Sequence, residues 1–221
     1  MGTDVKPLGD AQSFQLSLVG NSTTRYSSGP VISDDLSMSH PVYCSVEQRT
    51  RAWLDSFVVG LNLCPFARPV IAADGLRLTV CESGRLEDIA AMYLQELNLI
   101  CQSPESEIAT SLLVVPAGLE DFEAYLDFVD NANHLLEDQN LDGTIQLASF
   151  HPQYQFDGES PGASSHFTNR SPYPMIHFLR EDMMARLLQD FPNPEQIPQR
   201  NIETLDAIDP TELQRRLDNL A

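Results

Sequence analysis

Ser111-Leu112-Leu113-Val114-Val115 is the stretch on which the fold turns. A short run without polar alternation suits a strand buried on both faces, as at the centre of a helix-covered sheet. Upstream, Leu76 to Glu82 reads as a strand, and Leu86, Ile89, Ala90, Tyr93, Leu94, Leu97 and Ile100 follow at helical spacing. Downstream, Phe122, Tyr125, Leu126, Val129 and Leu136 form a second helical stripe, with Glu120 and Asp121 suited to its positive end. Asn140 to Gly143 then turns the chain into a strand from Thr144 to Phe150. Strand, helix, strand, helix, strand is the βαβαβ pattern, which favours parallel strands joined by right-handed crossovers. The expected fold class is α/β: one domain with a mostly parallel sheet of about four strands and helices packed on it. A ferredoxin-like α+β layout with one antiparallel edge is the alternative.

The flanks complete this outline. Residues 1–44 are rich in Ser, Thr, Gly and Pro without a sustained period, which predicts a flexible tail. A presequence is the other reading, but Asp4, Asp10, Asp34 and Asp35 outnumber Lys6 and Arg25 there. The ordered domain is expected over 45–221. Ser45 and Gln48 form a capping box, and Trp53, Leu54, Phe57, Val58 and Leu61 share a helical stripe that Cys64-Pro65 should end. A long loop runs from Phe150 to Pro174, followed by a fourth strand, Met175 to Leu179, and a helix from Glu181 to Gln189. Phe191-Pro192-Asn193-Pro194 reads as a break, and Asp209-Pro210-Thr211-Glu212 as the start of a last helix.

The 221 residues carry 13 basic and 32 acidic side chains, a net charge of −19. So acidic a chain repels phosphate backbones, so nucleic acid and anionic membranes are not expected partners. No apolar run reaches the roughly 18 residues of a membrane span and no export signal opens the chain, so a cytoplasmic, soluble protein is expected. The only lysine is Lys6, which removes Schiff-base, P-loop and kinase chemistry from the folded region. The eleven glycines never form G-x-G, so the usual dinucleotide fingerprint is missing. Cys44, Cys64, Cys81 and Cys101 are widely spaced and are expected as free thiols.

Ligands of open parallel sheets settle beyond the carboxyl ends of the strands. That points to His151, following the third strand and stiffened by Pro152, as a general base or metal ligand. Arg170, between Asn169 and Ser171-Pro172, offers guanidinium, amide and hydroxyl donors able to grip a carboxylate or phosphate. Tyr154 and Tyr173 add hydroxyls that could orient a ligand. Cys64 is a candidate nucleophile, although the helix C-terminus expected there would raise its thiol pKa; Cys-Pro is also a weak haem-thiolate signal. His177 alternates with Ile176 and Phe178, so it shares a face with Met175 and Leu179 and reads as a structural histidine. His151, His166 and His177 could jointly hold a metal, but lack the spacing of a local zinc motif. Each of these residues has a plain alternative, as packing or as a bond to loop backbone.

Several of these segments resemble one family. Trp53-Leu54, the run Gly60-Leu61-Asn62-Leu63-Cys64-Pro65-Phe66-Ala67, then Ala148-Ser149-Phe150-His151-Pro152 with Tyr154 and Phe156, Thr168 to Pro174, His177, Arg180 and Glu181 are similar to domain-of-unknown-function family 1415, of bacteria and plants. The resemblance covers about residues 46 to 190, departs from the family pattern over Gly158 to His166, and implies no reaction or cofactor.

The residues lead to a small-molecule enzyme, hydrolysing or transferring a group on an anionic substrate, or to a ligand-binding domain, with its pocket at the strand ends. A noncatalytic interaction or structural domain is the competing reading. The choice rests on whether the histidine- and arginine-bearing stretches converge on an open hollow or are satisfied by backbone.

Overall fold

Ser45 opens residues 45–220, which the computed structural model describes, as the cap of helix α1 (Val46–Trp53). Its hydroxyl accepts from the Gln48 N–H and the Gln48 side chain reaches back, so the capping box is complete. The expected tail over residues 1–44, with Cys44, lies outside the described residues.

Helix α1 runs into a π-helical turn, Leu54–Val59, and the helical stripe ends there, before Cys64-Pro65. A Cβ on Gly60 would collide with the Ser56 carbonyl, and Asn62 takes a left-handed φ of 54°. These residues reverse the chain into a short helix α2 (Ala67–Ala72). The core of the domain then follows as β1 (Leu76–Val80), α3 (Leu86–Gln102), β2 (Thr110–Val114), α4 (Phe122–Asp138) and β3 (Ile145–Phe150). Asp121 caps α4 through the Ala124 N–H, and the turn into β3 uses positive φ at Asn140 and Gly143.

The sheet is mixed, which corrects the mostly parallel expectation. Its order is β1-β2-β4-β3, with β1 and β2 parallel, while β4 (Met175–Arg180) lies antiparallel to both β2 and β3. The chain returns through the long 151–174 loop and inserts β4 between β2 and β3. The third strand, which His151 follows, is therefore an edge of the sheet. Composition carries the reason. Met175, Ile176 and Phe178 are fully buried, whereas Gln146 on β3 is exposed.

Strand β2 is buried throughout, as its run of apolar residues requires. Leu113 and Val115 join α3, α4, Ile176 and Phe178 in one core on one face. Leu112 and Val114 face a second core with Met175, Trp53, Phe57, Phe167 and the C-terminal helices. The register places Leu112 opposite His177 and Thr110 opposite Leu179, so His177 shares the second face with Met175 and Leu179. The remaining elements are a 3-10 turn, Ser164–Thr168, helix α5 (Glu181–Asp190), a short 3-10 turn, Pro194–Gln196, α6 (Ile197–Asp206) and α7 (Pro210–Asp218). Among the described residues no helix is long and apolar enough to cross a membrane.

Candidate functional site

The His151 and Arg170 stretches do come together. The His151 N–H donates to the Asn169 carbonyl at 3.1 Å, and Arg170 Nε donates to the Tyr154 carbonyl at 3.2 Å. Their side chains, however, bond to backbone. His151 has no exposed surface; its Nδ1 accepts from the Gln153 N–H at 3.0 Å, so its Nε2–H donates to the Leu119 carbonyl at 3.0 Å. The ring packs against both Phe122 and Tyr125 of α4, with each centroid 5.0 Å away, and burial lowers its pKa. No lone pair is left to take a proton.

The rest of the loop is held in the same way. Asn169 Nδ2 donates to the Ser149 carbonyl at 2.9 Å, and Ser171 Oγ to the Tyr173 carbonyl at 2.6 Å. The Arg170 guanidinium lies 4.7 Å above the Phe167 ring, and its own carbonyl accepts from the Trp53 indole at 3.0 Å. Tyr154 packs on Phe122 and Phe156, and Tyr173 against the second core. His166 copies His151: Nδ1 accepts from the Phe156 N–H and Nε2 faces the Ser160 carbonyl at 2.8 Å. Among the described residues no group of three or more His, Cys, Asp or Glu side chains could hold a metal ion, and His151, His166 and His177 are not gathered into one.

Cys64 lies elsewhere, together with His177. Both line an apolar cavity of about 220 Å³ between the second face of the sheet and the segment from Trp53 to Ile71, closed on another side by Met183 and Met184 of α5. Its floor is Leu76, Thr110, Leu112, Ala148, His177 and Leu179. Leu76 and Thr110 begin their strands, so this cavity lies under the amino ends of β1 and β2 rather than beyond their carboxyl ends. His151, Tyr154, Asn169, Arg170, Ser171 and Tyr173 do not line it. A second, polar hollow of about 310 Å³ lies between the Asn62–Pro65 turn and α6, beside Arg200 and Glu203.

Cys64, Cys81 and Cys101 are free thiols. Cys64 precedes α2 instead of ending α1, which reverses the dipole expected at its thiol. Burial nevertheless pushes the thiol pKa up, and the Phe66 and Ala67 N–H groups pull it down less. A protonated thiol in this setting fits neither an activated nucleophile nor a haem-ligating thiolate. His177 stays neutral as well, since burial pushes its pKa down to about 4. Its Nε2 lies 2.6 Å from Thr110 Oγ1, which is also 2.6 Å from the Phe178 carbonyl.

A family model described as "Protein of unknown function (DUF1415)" matches residues 45–215. The chain belongs to that family. No curated protein and no solved structure matches it. The stretches that resembled the family divide between the two places described above: Trp53, Cys64, Phe66, Ala67, Ala148, Phe150 and His177 line the apolar cavity, while His151 and Thr168 to Tyr173 build the loop. Sequence reasoning singled out Cys64 but gave His177 a packing role and missed Thr110 altogether. The one available signal was a histidine within an otherwise apolar strand.

Proposed function

We propose that the chain is a small-molecule binding domain whose ligand occupies the apolar cavity against His177. The observation that supports this is the cavity itself: about 220 Å³, walled by Trp53, Phe66, Phe150 and paired methionines, with a histidine at its floor. An engineered apolar cavity of roughly 150 Å³ accepts benzene. Small-molecule sites are of this kind, mostly apolar with a few placed polar groups.

The ligand is neutral in this reading, not the small anion that Arg170 suggested. No charged side chain lines the cavity, and an unpaired buried anion would be costly. The polar loop acts as a structural clasp: His151 ties it to the Leu119 carbonyl ahead of α4, Asn169 ties it to β3, and Arg170 and Ser171 bond within it. Hydrolysis or group transfer lacks support there because His151, the residue that would move the proton, has both ring nitrogens engaged with backbone. The free thiols suit a reducing compartment, which supports a cytoplasmic location, and a net charge of −19 supports a role away from nucleic acid and anionic membranes.

Titrating toluene into protein labelled at its methionine methyls tests the assignment. Met183 and Met184 signals shift on binding, while Met92, in the core on the other face, stays in place. Ala148→Leu, which fills the floor, abolishes the shifts without unfolding the chain. Equal shifts at all three methionines, or none in the unmodified protein, would overturn the reading.

A further inference from the structure

We propose that the cavity selects an uncharged aromatic alcohol, its ring against Trp53 and Phe150 and its hydroxyl donating to Nδ1 of His177; this rests on the cavity being a ligand site. The direction of that hydrogen bond follows from Thr110. A hydroxyl has one proton, and the Phe178 carbonyl, 2.6 Å from Thr110 Oγ1, can only accept it. Thr110 Oγ1 therefore accepts from His177 Nε2–H at 2.6 Å. The imidazole is locked with its proton on Nε2, and Nδ1 presents a lone pair. Among the described residues no hydrogen-bond partner is assigned to Nδ1, and His177 keeps accessible surface where it lines the cavity.

The same walls define the remainder of the ligand. Phe150 packs edge-on to Trp53 with centroids 5.2 Å apart and lies 6.2 Å from the His177 ring, so an aromatic ligand would extend an existing cluster. Met183 and Met184 supply polarizable sulfur, which suits ring edges. The volume exceeds the roughly 150 Å³ that holds benzene, leaving room for a short substituent. An ether of the same shape would leave Nδ1 unsatisfied, and a carboxylate would find no cation.

Matched probes provide the test: 4-ethylphenol, 4-ethylanisole and 4-ethylbenzoate, titrated into the full chain by calorimetry and by ¹⁵N spectroscopy of the imidazoles. The phenol binds about tenfold more tightly than the ether, the size of one modest hydrogen bond, and only the phenol moves the His177 Nδ1 resonance, a readout that needs no variant. Thr110→Val releases the tautomer and narrows the gap; His177→Phe closes it. Equal affinity for phenol and ether overturns this inference alone and leaves the cavity as an unselective apolar site. Tighter binding of the benzoate also overturns it, whereas no binding of any probe overturns both this inference and the cavity reading.

Discussion

Two histidines show how one side chain is put to opposite uses. His151 spends both ring nitrogens on backbone, joining Leu119 to Gln153 against two aromatic rings. His151→Ala should therefore lower stability by about 2 to 4 kcal/mol, from two lost bonds and a void, while leaving toluene binding unchanged; urea denaturation beside the methionine titration checks both. His177 should set a pH dependence instead. The unfolded histidine titrates near 6.5 and the folded one at about 4, so below 6.5 the unfolded chain binds a proton that the folded chain refuses. Stability then falls as the pH drops from about 6.5 to about 4, by at most about 3 kcal/mol, and this contribution levels off below. In His177→Gln the urea midpoint should lose that part of its slope between those limits.

Secondary elements are held in register by few side chains, and Arg180 is one. From the end of β4 it donates to the carbonyls of Ile100 and Ser103 at 2.7 Å each and of Ile108 at 3.0 Å, binding the C-terminal turn of α3 and the entry to β2. Arg180→Met should cost about 2 kcal/mol and speed hydrogen exchange at the Ser103 amide, which closes that turn. Gly118, after β2, combines a φ of 95° with contact against the Gly84 backbone, so Gly118→Ala should destabilise by more than about 1 kcal/mol, read as a fall in Tm. The elements themselves were largely legible. Apolar period and caps mark β1, α3, β2 and α4 because each buries a defined stripe or face. Helix α6 was hidden by the prolines at 192, 194 and 198, yet Pro198 stands in its first turn, where a missing N–H is harmless. Strand order was misread from connectivity, although Gln146 against the run Met175 to Leu179 already separates edge from interior. The cavity was not legible at all, because its walls are ordinary apolar residues from distant segments and only their spacing in three dimensions makes a void.

Across the whole molecule, net charge and topology act together. At −19 the chain repels itself, so Tm should rise when salt increases from about 10 to about 200 mM, as screening shortens the reach of that repulsion. A flat response in a differential scanning experiment would show that the acidic side chains are already compensated. The insertion of β4 between β2 and β3 has a temporal corollary. During synthesis β3 is complete some 25 residues before the strand it pairs with begins to be translated. Until Arg180 emerges, β2 has an open flank and β3 has no partner, and a ribosome stalled in the loop would display the β1–β2 pair and a lone strand ready to pair with any neighbouring nascent chain.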